Sequence, residues 1–241
     1  SVTPHSLDAH YLGWAGDGHI GRLNINHAAY YALGEDSANP LAGRRQDISA
    51  YMGALELSVD ADWLRPKLSF MYASGDQDPF DDTAGGFDGI IDNPFFAGGP
   101  SSFYQSSGLG LLGVNLTNPR SFYNDLSSSN AEGQANFVNP GTILVGGGFD
   151  AEITPKLRAS FNANSIWFAQ TDSLELFLNQ RDIRPHVGWE TNLVVQYRPL
   201  LNNNIIITAG GSLFFPGDGF VDLYNSERTL HQVFVGITLT Y

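Results

Sequence analysis

Apolar residues recur at every second position over long stretches of this chain, the pattern of strands with one apolar and one polar face. At the C-terminal end Val233, Val235, Ile237, Leu239 and Tyr241 alternate in this way, which predicts a strand over 229–241. Working back, the same period predicts strands over 204–215, 186–197, 157–168, 141–153, 64–74, 48–60 and 19–33, with a less regular ninth over 7–15. Segments of 10–14 residues exceed the usual globular strand of about 5–6. They match a tilted strand that crosses a bilayer.

The links between these segments sort by length. Gly16-Asp17-Gly18, Ala61-Asp62-Trp63, Thr154-Pro155-Lys156 and 199–203 read as tight turns, and they alternate with long links over 34–47, 75–140, 170–185 and 216–228. Short turns on one side and long loops on the other predict an antiparallel transmembrane β-barrel, with short periplasmic turns and long extracellular loops. A soluble β-sandwich alternates too, but its strands are shorter and its connections do not sort by parity. Nine strands against the even number usual in single-chain barrels predict one or more strands before Ser1, making this chain the C-terminal part of a larger barrel of roughly 16–18 strands. The alternative is a tenth strand within 101–114, whose SSFYQSSGLGLLGV is partly apolar.

Composition narrows the function classes. Only 15% of residues are charged, the net charge is −13, and Cys is absent. The acidic balance excludes a nucleic-acid partner, which needs a basic face. Without Cys there is neither a disulfide framework nor a CxxCH haem site. No run approaches the roughly 20 apolar residues of a membrane helix. The six histidines fall near strand ends, and neither HExxH nor GxSxG occurs, so no enzyme is expected. His27 lies on the apolar register, as a residue at headgroup level would. Trp14, Trp63, Trp167, Trp189 and Tyr197 are candidates for interfacial girdles.

Placing the apolar set against lipid leaves Arg22, Arg65, Lys67, Arg158 and Arg198 facing Glu56, Asp150, Glu152 and Glu190 on the inner wall. These nine are the candidate pore-lining residues; mutual ion pairing within a polar interior is the alternative role. The link over 75–140 is too long for an idle connection and carries aromatic pairs, so it is expected to fold into the mouth as a constriction or plug, or else to cap the surface. Short loop helices are expected after Asn118-Pro119 and over 172–179, the latter capped by Asp172 with Glu175 three residues on. The loop opens on SGDQDPFDDTAGGFDGIIDNP, with Asp76, Asp78, Asp81, Asp82, Asp88 and Asp92 close together. Such acids are either a solvated surface or, at Asp76, Asp78, Asp81 and Asp82, an oxygen site for calcium; the spacing is not that of an EF-hand loop. No other cofactor is expected.

Ala73-Ser74-Gly75-Asp76 at a strand end, followed by Asp78-Pro79, Asp81 and Gly86-Phe87-Asp88, resembles the strand-and-loop motif of the alginate-export family of outer-membrane barrels. The resemblance spans about 20–25 residues and departs after Asp88. It implies a monomeric barrel in the Gram-negative outer membrane that conducts a polyanionic polysaccharide or another solute. An alginate conduit calls for a basic constriction, whereas five basic against four acidic wall residues are nearly balanced. Gly236, Leu239 and Tyr241 resemble the C-terminal assembly signal read by the barrel-assembly machinery, with Phe234 in the usual polar place. The expected surroundings are outer-membrane lipid and lipopolysaccharide. The expected role is a porin-like channel or exporter for a polar solute or polysaccharide; the rival is a non-conducting barrel that scaffolds or sheathes an envelope partner such as a cytochrome.

Overall fold

A computed structural model describes residues 6–39, 42–89, 96–103 and 136–240. Among these residues nine long strands run as an antiparallel meander: β1 (Leu7–Ile20), β2 (Leu23–Asp36), β3 (Gln46–Val59), β4 (Leu64–Ala73), β6 (Thr142–Thr154), β7 (Leu157–Trp167), β8 (His186–Tyr197), β9 (Ile205–Pro216) and β10 (Leu230–Leu239). A two-residue strand, β5 (Thr83–Ala84), adds a short parallel pairing to β3. Among the described residues β1 and β10 are the edges and do not pair with each other. The expected strands are thus present with the expected neighbours, and the link lengths sort as the pattern predicted. The expected helix after Pro119 and nearly all of the alternative strand over 101–114 lie outside the described residues.

The first turn differs from expectation. Gly16-Asp17-Gly18 is not a turn: β1 continues to Ile20, and Gly21 and Arg22 turn the chain, with Gly21 at φ 61°. A two-residue hairpin needs positive φ, which Gly21 supplies. Gly16 instead faces His27 across the pair, where a Cβ would come within 3.1 Å of the imidazole. Its small size makes room for a side chain on the neighbouring strand.

Both faces follow from the period of two. On the outer face Val233 is 81% exposed, Trp14 73% and Leu68 68%, and Leu12, Tyr51, Phe70, Val145, Leu193 and Leu213 continue the belt across the sheet. Apolar exposure on this scale is what a lipid-facing surface shows and a soluble domain avoids. His27 sits in this belt with its ring edge-on to Trp14 at 5.2 Å. Near the long-loop end Trp167, His186 and Trp189 form a second aromatic group with centroids 5.5–6.5 Å apart.

The core lies on the inner face, at the long-loop end. One cluster packs Phe96 and Phe103 of the long loop with Leu144, Ile166 and Phe214 of the wall and with Phe168, Leu174, Val187 and Phe220. A second sets Phe87 and Phe137, from the two roots of the loop, over Ala32, Ala50 and Ala73. Alanines on three adjacent strands leave the depth that two phenylalanine rings fill, each worth roughly 1.5–3 kcal/mol on burial. Val187 falls in the apolar set expected to face lipid, yet it is buried on the inner side. A register shift beside Trp167, with Gly188 at φ 154°, turns the strand there.

The helix expected over 172–179 forms as Asp172–Leu178. Its N-cap is Thr171 and not Asp172, and Glu175 reaches back over the loop to accept the Ile183 N–H at 3.0 Å. A second loop helix, Asp218–Tyr224, had no capping signal in the sequence and starts from extended Gly217 without a side-chain cap.

Candidate functional site

The inner face carries two groups of polar side chains at different depths. Nearer the short turns, Lys67 on β4, Asp150 on β6 and Arg158 on β7 share the inward register. Lys67 Nζ lies 3.5 Å from Asp150 Oδ1, Arg158 Nη2 lies 2.9 Å from Asp150 Oδ2, and Arg158 Nε lies 3.7 Å from Glu152 Oε1. Lys67 and Asp150 are 11% and 16% exposed, so this ladder is shielded more than a surface pair and less than a core one. Arg65 pairs with Asp60 at the turn.

Higher on the wall the two remaining acids face the long loop. A 3-10 segment, Phe96–Ser101, crosses the inner face with Ala97, Gly98 and Gly99 all at positive φ. This backbone turns both polar groups of Ala97 toward the wall. Its N–H donates to Glu56 Oε2 on β3 at 3.2 Å, and its carbonyl accepts from Asn164 Nδ2 on β7 at 2.8 Å. Glu56 Oε2 also accepts from Ser69 Oγ at 2.6 Å. Glu190 on β8 is fully buried, and its Oε1 accepts from Ser102 Oγ at 2.7 Å and Asn164 Nδ2 at 2.6 Å. Asn192 Oδ1 accepts from Ser101 Oγ at 3.2 Å and Asn162 Nδ2 at 3.0 Å. Along the sheet β3 and β7 are three strand spacings apart, roughly 14 Å. One loop residue bridges them from the inner side.

Glycines make the close approach feasible. Gly98, at φ 104°, lies so near the wall amides that a Cβ would meet Asn192 Nδ2 at 2.7 Å and Asn162 Nδ2 at 3.2 Å. On β6 a Cβ at inward Gly148 would meet Asn162 Oδ1 at 2.7 Å, and inward Gly146 lies against Asn164 even more closely. Without side chains there, both asparagines have room beside β6, from which Asn164 reaches the loop and Asn162 reaches Asn192.

Of the nine expected wall residues, Glu56, Arg65, Lys67, Asp150, Glu152, Arg158 and Glu190 stand on the inward register of their strands. Arg22 and Arg198 do not: Arg22 sits in the turn between Ile20 of β1 and Leu23 of β2, and Arg198 in the turn that follows Tyr197 of β8. Asn162, Asn164, Asn192, Ser101 and Ser102 were not singled out in the sequence. The alternating Asn-x-Asn at 162–164 and Glu-x-Asn at 190–192 is the signal that marks them as one polar stripe. Gly236 and Leu239 lie in β10, and Tyr241 is outside the described residues.

The acidic stretch is threaded by local hydrogen bonds. Asp76, Asp78 and Asp81 each accept a backbone N–H two residues on, from Asp78, Phe80 and Thr83, and Asp82 pairs with Arg44 at 2.8 Å. Among the described residues no three His, Asp or Glu side chains come together in a group that could hold a metal. The carboxylates shape successive Asx turns.

Two of these acids are buried at the loop root. Asp76 is 2% exposed, its Oδ2 has no hydrogen-bond partner, and burial, with Asp81 and Asp78 nearby, pushes its carboxyl up to about 7. Burial also holds Asp88 well above the ordinary carboxylate range, although its Oδ2 accepts the Asn136 N–H at 2.7 Å. Around them the two roots are stitched together by Asp76 N–H to Asn139 O at 2.8 Å and Gly86 N–H to Phe137 O at 2.7 Å. Tyr11 OH donates to Asp88 O at 2.8 Å and ties the root to β1.

Neither a family model nor a curated protein sequence matches the chain. Among solved structures it is similar to the outer membrane channel DcaP of Acinetobacter baumannii, with 13% identity and a TM-score of 0.47 over 98% of this chain and 53% of that one. It is also similar to OccK5 (OpdH) of Pseudomonas aeruginosa, with 12% identity and a TM-score of 0.44 over 95% of this chain and 50% of that one. The chain spans about half the length of each.

Proposed function

We propose that this chain forms wall of a porin-like channel in the bacterial outer membrane, with its outer face in lipid and its inner face on the path of a polar solute. The observation that carries the reading is the separation of the two faces. One is a broad apolar belt with Trp14 and Val233 largely exposed; the other is a ladder of amides, hydroxyls and ion pairs. A soluble sheet has its apolar face inside, and this sheet has it outside. In lipid every backbone donor must be satisfied, so the edges of β1 and β10 need partners when the barrel is closed. The short turns face the periplasm and the long loops face outward.

The solute class follows from the wall. Asp150 and Glu152 balance Lys67 and Arg158, so the ladder offers alternating charge and not the single-sign ring that selects a polyanion. The structure therefore favours small polar solutes over a polyanionic chain. Planar-bilayer recording of the refolded protein tests the reading. Discrete conductance steps that grow when 78–136 is deleted are expected. Silence of both forms defeats the channel reading and favours a barrel that scaffolds a partner.

A further inference from the structure

We propose that Glu56 and Glu190 are positioning residues: they pin the segment 96–103 across the inner wall and so set the width of the pore by geometry, not by their charge. The inference rests on the channel reading above. It changes the role of two residues that position alone would assign to ion contact.

Donors from both the wall and the loop converge on these two carboxylates. Glu56 Oε2 receives Ser69 Oγ from the wall and Ala97 N–H from the loop. Glu190 Oε1 receives Asn164 Nδ2 from the wall and Ser102 Oγ from the loop. Each acid thus joins one wall residue to one loop residue. Glu190 is wholly shielded from solvent, so a passing ion meets the loop that covers it and not the carboxylate. Asn164 links the two anchors, because the amide that donates to Glu190 also donates to Ala97 O, beside the N–H held by Glu56. The loop side is matched to this wall: Gly98 at φ 104° lies where any Cβ would strike Asn192. Phe103 completes the attachment by stacking on Phe214 of β9 with centroids 5.8 Å apart. The segment therefore touches the inner side of β3, β7, β8 and β9 and can shift only by breaking several contacts together.

A pore charge and a loop anchor respond differently to substitution. Glu56→Gln keeps an acceptor oxygen and removes the charge; Glu56→Leu removes both. Gly98→Ala and Ser102→Ala alter only the loop and no charge. With the intact protein in planar bilayers, Glu56→Leu and Gly98→Ala are expected to raise single-channel conductance and open-channel noise. Glu56→Gln is expected to keep the wild-type conductance and reversal potential. In parallel, hydrogen exchange over 96–103 should accelerate about tenfold or more in Gly98→Ala, Ser102→Ala and Glu56→Leu, as the loss of one charge-assisted anchor implies.

The inference is overturned if Gly98→Ala conducts like wild type, or if Glu56→Gln shifts the reversal potential as far as Glu56→Leu while conductance stays fixed. A wild-type protein that never conducts defeats the channel reading and with it the pore-setting role. Exchange over 96–103 still tells in that case whether the two acids anchor the loop.

Discussion

Lowering the pH from 8 to 5 is predicted to tighten the root of the long loop, with Asp76 as the main cause. Folding the root takes Asp76 from water to 2% exposure with one oxygen unpartnered, beside Asp78 and Asp81, and raises its carboxyl to about 7. A carboxyl whose pKa is higher in the docked loop than in the free chain docks best when protonated. Docking carries no penalty below the ordinary carboxylate value near about 4, loses stability as pH rises between that value and about 7, and loses no more above it. A displacement of about three pH units at roughly 1.4 kcal/mol each sets a ceiling of about 4 kcal/mol. Solvent and counter-ions at the loop surface screen the neighbouring acids, and about 1–2 kcal/mol between pH 8 and pH 5 is the working figure. Hydrogen exchange at Asp76, Gly86 and Phe87, whose N–H groups close the root, reads this directly after correction for the intrinsic pH dependence of exchange. Protection factors should rise about five- to thirty-fold on acidification. Asp76→Asn should remove most of that rise, and adding Asp88→Asn should flatten the remainder. Equal protection at both pH values in the wild type would refute the reasoning, as would an undiminished rise in the double variant.

Other consequences follow from the packing and the charges. Phe214→Ala removes a fully buried ring packed between Phe103 and Phe220 and should cost about 3–5 kcal/mol, seen as a lower unfolding temperature in detergent. Asp150→Asn strips the shared partner from Lys67 and Arg158, and the reversal potential should move toward anion preference; no movement would place the ladder off the ion path. Arg184 is held by Asp218 at 3.0 Å and Asp222 at 2.7 Å, and its own backbone N–H donates to Asp222 as well. Arg184→Ala should therefore expose both loop helices to protease while the strands stay protected.

The strands were legible because lipid and the inner wall impose opposite chemistry on alternate positions, and a period of two over 10–14 residues has few other readings. The first turn differs from expectation because Gly and Asp are usual turn residues; here Gly16 leaves cross-strand room for His27, and Gly21 does the turning. Val187 was misplaced because a bulge resets parity, and nothing in the run around Gly188 signals which way the strand will turn. In the acidic stretch composition reports the density of carboxylates but not their partners, which for Asp76, Asp78 and Asp81 include local backbone N–H groups. The inward acids Glu56 and Glu190 were found by parity. Their attachment to a loop 41 and 88 residues away could not be, since hydrogen bonds at that separation leave no local pattern.

Those separations also fix an order of events. The wall residues that receive the segment 96–103 come from β3 on one side of it in the chain and from β7 and β8 on the other. The receiving surface does not exist until all of these strands have paired, so the loop closes last. Contacts of such long sequence separation are the slowest to form. In pulse-labelled refolding this segment should gain protection after the strands. On the proposed channel reading, a nascent barrel would pass through a stage that is wide open at its centre, with narrowing as the final step of its maturation.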